Sequence, residues 1–144
     1  MDEGGYVNTL VPKHPDYASA MVALTAASDL LALARDKLAH DDIEGAIESS
    51  RDAIRLASSA ILYRDGYVSG SLEDTEDYIS KKYPGVFPVG DWDRIEITAS
   101  PRVTLYKMVL SAMGKIRPPD RSVAEEAVVI ADTFIRTARH ELIS

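Results

Sequence analysis

Apolar residues along this chain recur at alternating spacings of three and four, the period of amphipathic helices rather than of strands. Leu24, Ala27, Leu31, Ala34 and Leu38 form the first such stripe and predict a helix over about 15–40. Pro15 suits its first turn, with acidic Asp16 beside it. Asp41, with Glu44 three residues on as capping-box partner, opens a second helix over 42–64, and Gly66 can take the left-handed conformation that ends it. So little chain separates the two that they must form an antiparallel hairpin. Ser71 and Asp74 open a short third helix over 71–83, closed by Pro84-Gly85. Ser100-Pro101 opens a fourth over 101–116, with Val103, Tyr106, Leu110 and Met113 as its stripe. Ser122 and Glu125 open a fifth over 122–142, whose inward positions are Ala124, Ala127, Val128, Ala131, Phe134, Ile135, Ala138 and Leu142. Within the connection at 84–99, "RIEIT" alternates like a strand, but five residues without a partner strand do not make a sheet. The expected fold is all-α, an antiparallel up-and-down bundle of four to five helices. Residues 15–144 form one domain behind a flexible N-terminal arm, residues 1–14.

The second helix is unusual in its furnishing. At 100° per residue Ile43, Ile47, Ile54 and Ile61 fall within about 40° of one another. Ala46, Ser50, Ala53, Ala57 and Ala60 complete the inward face, and such small residues let a neighbouring backbone approach closely. Glu44, Glu48, Arg51, Asp52 and Arg55 occupy the opposite arc, where pairs such as Glu48–Arg51 make a self-paired, solvated surface.

Composition adds bounds. A chain of 144 residues with 46% hydrophobic and 27% charged residues is an ordinary globular domain. It has no cysteine, which removes disulfides, thiolate nucleophiles and cysteine-based zinc sites. No apolar run approaches the roughly 18 residues expected to span a bilayer, and the acidic N-terminus lacks a signal-peptide core. A cytoplasmic protein with no membrane partner is expected. The net charge of −7 disfavours broad, non-specific nucleic-acid binding. The charge is uneven, however: residues 1–93 carry 8 Lys/Arg against 17 Asp/Glu, whereas residues 94–121 carry six against two.

That basic segment supplies the candidate ligand-binding residues Arg102, Lys107, Arg117 and Arg121. Arg102 lies in a first helical turn, where free N–H groups favour an anion. Arg117 precedes the rigid Pro118-Pro119 turn, and Arg121 stands at the start of the last helix. The plainer alternative pairs these cations with acidic side chains of the first three helices. His14, His40 and His140 are the only histidines. His40-Asp41-Asp42 offers metal-ligand types at a helix junction, but capping and the helix dipole account for its carboxylates. No metal or cofactor is expected. Tyr63, Tyr67, Tyr78, Tyr83, Phe87 and Trp92 cluster in the acidic part of the chain and read as packing of the long loop onto the bundle, or as a subunit interface, rather than as base-stacking platforms.

The first helix ending "ARDKLAHDD", the second reading "IEGAIESSRDAIRLASSAILYRDGY", the third "SLEDTEDYISKKYP" and the final "IRPPDRSVAEEAVVIADTFIRTARHEL" together resemble the HEPN domain (higher eukaryotes and prokaryotes nucleotide-binding). The resemblance spans about residues 18–142. It implies a dimeric helical bundle, with relatives that include RNases, toxins neutralised by a partner, and companions of small nucleotidyltransferases. Catalytic members carry Arg, four to six residues, then His, late in the bundle. Here the literal match is Arg35 to His40, in the first helix, while Arg136 and His140 are separated by only three residues. Catalytic residues are therefore not assigned. A homodimer is expected on a second ground, since Tyr106, Val109, Val129 and Ile130 exceed the apolar needs of one bundle face. The reading is a dimeric nucleotide/RNA- or partner-binding module, accessory to a nucleotidyltransferase or a toxin–antitoxin-type system. Its alternatives are a ribonuclease with a non-standard site and a purely structural interaction bundle.

Overall fold

Aspartates start the long helices. A computed structural model describes residues 10–68, 72–88, 90, 112–114 and 120–143. Helix α1 spans Tyr17–Ala39, and its N-cap is Asp16, whose carboxylate accepts from Ser19 N at 2.9 Å and Ser19 Oγ at 2.7 Å. Those two bonds hold the Asp16 carboxyl below its ordinary value. Pro15 is thus outside the helix rather than within its first turn. Helix α2 spans Ile43–Asp65 and is capped by Asp42, not Asp41. Asp42 Oδ1 accepts from Gly45 N at 3.0 Å, while Asp41 turns the chain with a φ of 60°. At the other end Gly66 is left-handed, φ 90°, as expected. A Cβ there would lie 2.9 Å from the Lys13 carbonyl oxygen.

Helix α3 spans Leu72–Lys82. Helix α4, Arg121–Ile143, starts one residue earlier than its sequence signals indicate. Asp120 is its cap, accepting from Val123 N at 2.9 Å. The fourth helix expected over 101–116, the "RIEIT" stretch and Ser71 fall wholly or mainly outside the described residues. The only strands among the described residues are β1, Val11–Pro12, and β2, Tyr67–Val68, paired antiparallel. The chain is all-α, with four helices among the described residues.

Contacts at the helix ends fix the directions. Asp16 N donates to Tyr63 O, so the start of α1 lies against the end of α2 and the two are antiparallel. Arg121 reaches Leu38 O at the end of α1, while Tyr17 Oη donates to Leu142 O at 3.0 Å, so α4 is antiparallel to α1 as well. It follows that α2 and α4 run in the same direction. Residues 10–14 belong to this end of the bundle too. Leu10 is buried, β1 pairs with β2, and Lys13 N donates to Gly66 O at 2.9 Å.

Packing follows the small-residue stripes. Ala20, Ala23, Ala27 and Ala34 of α1 are buried with Ala46, Ala53, Ala57 and Ala60 of α2 and Ala124, Ala127, Ala131 and Ala138 of α4. Leu24, Ile54, Ile61 and Phe134 fill the space between. Every inward residue that the spacing assigns to α4 is buried. Ile130, counted in sequence as surplus for a subunit interface, is also core, whereas Val129 is exposed. Helix α1 keeps a broad uncovered side, with Val22 70% exposed and Leu33 42% exposed. It is long and apolar enough to cross a membrane by length and composition alone, because Asp29 is the only charge between Tyr17 and Ala34. Here its Ala/Leu face packs into the bundle.

Candidate functional site

Of the four cations singled out in the sequence, Arg102, Lys107 and Arg117 lie outside the described residues. Arg121 is described, and it ties helix ends together. Its Nη1 donates to Leu38 O at 3.2 Å and to Asp41 Oδ1, and its Nε stands 3.8 Å from Glu125 Oε2. Of its two acidic partners, Asp41 belongs to the acidic first half of the chain and Glu125 to its own helix.

The residues of the Arg-then-His pattern do not assemble. Five residues along a helix is a rotation of about 140°, so Arg35 and His40 point to different sides. Arg35 faces α4, with Nη2 3.3 Å from Asp132 Oδ1. His40 Nδ1 donates to Asp36 O at 2.8 Å, and that carbonyl, then the Asp36 carboxylate, raises the imidazole's pKa. At this junction Asp41 is held by Arg121 and Asp42 caps α2. Among the described residues no group of three His, Asp or Glu side chains is placed to hold a metal ion.

Two polar constellations do assemble. The first knots the end of the bundle where α2, α3 and α4 meet. Arg64 Nε donates to Asp65 Oδ1 at 2.8 Å, its Nη1 to the Glu141 carbonyl and its Nη2 to Tyr83 Oη. Tyr78 and Tyr83 each donate to Asp65 Oδ2 at 2.7 Å. Burial works against the Arg64 charge, yet the Asp65 hydrogen bond and the neighbouring charges outweigh it and raise its pKa. Burial, then donation to Asp65, pushes the Tyr83 hydroxyl up to about 12, and Tyr78 is raised for the same reasons. Aromatic rings surround the knot: Tyr67–Tyr78 centroids are 5.2 Å apart, Tyr83–Phe87 5.7 Å and Phe87–Phe134 4.7 Å. The aromatic residues near α3 are therefore packing, as their acidic setting suggested; Trp92 lies outside the described residues. On α2, Arg51 pairs with Glu48 at 3.9 Å and with Asp52 at 3.3 Å, the self-pairing expected from the sequence, but its side chain is only 13% exposed and is not the solvated group that reading made it.

The second constellation lies in the exposed groove between α1 and α4. Asp132 is gripped from both sides, by Arg35 on Oδ1 and by Arg136 on Oδ2. One turn further on, Arg139 Nη2 donates to Ser28 Oγ at 2.9 Å. Three guanidinium groups thus line one side of the groove, two of them on the single Asp132 carboxylate and the third on a hydroxyl. The spacing Asp132, Arg136, Arg139 was legible as one face of a helix. That Arg35 and Ser28 meet it from α1, Ser28 across 111 positions from Arg139, was not. No protein-family profile, curated protein or solved structure matches this chain.

Proposed function

We propose that this chain is a HEPN-like helical bundle that works as a dimeric binding module for nucleotide, RNA or a partner protein, with no catalysis of its own. The partner would belong to a nucleotidyltransferase or toxin–antitoxin-type system, and the setting would be the cytoplasm. The observation that carries the reading is the uncovered side of α1, where Val22 and Leu33 stand exposed on a stretch, Tyr17 to Ala34, that holds a single charge. Exposed apolar residues in such a setting favour association. Its neighbour, the arginine-rich groove, favours an anionic partner. Binding is preferred to catalysis because His40 is engaged with its own helix and is turned away from Arg35. The basic residues Arg102, Lys107, Arg117 and Arg121 remain candidate contacts for the same anionic partner.

Light scattering at micromolar concentration tests the dimer, with Val22→Asp and Leu33→Asp expected to yield monomer. Fluorescence anisotropy with a short labelled RNA and with a nucleoside triphosphate at low salt tests the ligand. A wild-type monomer that binds neither probe would refute the proposal.

A further inference from the structure

We propose that the α1–α4 groove is a phosphate-binding site, built by Arg35, Arg136, Arg139 and Ser28 and held in reserve by Asp132. The inference rests on the binding-module reading and gives it a ligand class and a location. Asp132 shows how the groove grips an oxyanion. Each of its oxygens meets a different guanidinium, one from α1 and one from α4, which is the two-sided grip that a tetrahedral phosphate also accepts. Its single charge leaves the three arginines under-neutralised. Arg139, one turn along α4, donates to a neutral hydroxyl and to no carboxylate among the described residues. Along α4, Glu125, seven positions before Asp132, stands beside Arg121. An arriving phosphate would take Arg139 and Ser28 directly and share Arg136 with Asp132. Arg35 and Arg136 are 53% and 73% exposed, so the groove is open to a ligand. A net positive groove on a chain of net charge −7 also sets the response to salt, because binding there must weaken as screening grows.

The test compares variants of the whole chain by anisotropy and by competition with three probes at low salt: a nucleoside triphosphate, inorganic triphosphate, and a short RNA without a terminal phosphate. The first two report a free phosphate tail and the third a phosphodiester backbone. Arg136→Ala/Arg139→Ala is expected to bind about tenfold more weakly or worse, the loss due to charge-assisted hydrogen bonds. Asp132→Asn, which frees two guanidinium groups, is expected to bind about threefold more tightly or better. Glu44→Gln makes the same charge change on the exposed side of α2 and is expected to leave binding unchanged. All these side chains except Asp132 are exposed, and thermal melts verify that each variant is folded.

Loss of binding in Arg102→Ala/Arg117→Ala alone would overturn the groove assignment and leave the binding-module reading standing. Equal weakening in both double variants, or equal tightening in Asp132→Asn and Glu44→Gln, would mark a diffuse charge effect and overturn it as well. If neither the wild type nor Asp132→Asn binds any probe, the phosphate site is refuted, and dimer formation then judges the wider reading separately.

Discussion

Gly66 joins a conformational demand to a steric one, which makes Gly66→Ala a quantitative test of this architecture. The residue ends α2 at φ 90° and ψ 37°, and its position for a Cβ lies 2.9 Å from Lys13 O and 3.4 Å from Pro15 Cδ. Placing an L-residue in the left-handed region costs about 1–2 kcal/mol. Relieving a contact that short requires Lys13 to move, straining its 2.9 Å bond to Gly66 O; small overpacking of this kind adds about 1 kcal/mol. The total of about 2–3 kcal/mol lowers the melting temperature by roughly 5–10 °C in a chain of this size. Gly85→Ala separates the two contributions, since Gly85 is also left-handed, at φ 73°, with nothing among the described residues within 4 Å of a Cβ. It should cost only the conformational part, about 1–2 kcal/mol. Circular dichroism melts with urea titrations measure both. A Gly66→Ala variant no less stable than Gly85→Ala would refute the close approach of the N-terminal segment to the end of α2.

Three other outcomes are expected. Ser50 Oγ is wholly buried and has no hydrogen-bond partner among the described residues, so Ser50→Ala should stabilise the chain by about 0.5–1 kcal/mol in urea unfolding, and a loss of stability would be incompatible with an unpaired hydroxyl. Phe134 is fully buried against the Phe87 ring, and Phe134→Ala should cost about 3–5 kcal/mol by the same measurement, a cost under 1 kcal/mol being incompatible with this core. Tyr78 and Tyr83 have hydroxyl pKa values raised above the unfolded value near 10, so their contribution is complete below about pH 10 and is lost as pH climbs towards 12 and beyond. Unfolding followed from pH 8 to 12 should show this decline, and Tyr83→Phe should flatten it; an identical profile in the variant would dismiss the knot as its source.

The sequence by itself determined the helical class, the inward stripes of α1, α2 and α4, and the left-handed exit at Gly66, because period and turn chemistry are local properties. It missed the caps by a residue or two. Asp16, Asp42 and Asp120 each stand beside another plausible starter, and only the path of the incoming chain selects which carboxylate meets the free N–H groups. The apolar length of α1 was underrated for a related reason: a lone charge at Asp29 interrupts a run without making the helix amphipathic. Tertiary structure alone decided the partners of distant charges. Arg64 reaches across 77 positions to the Glu141 carbonyl, Arg139 across 111 to Ser28, and Arg35 meets Asp132 from another helix. Side chains that far apart in sequence are brought together by how the alanine stripes set the helices against one another, and no local pattern in the residues encodes that meeting.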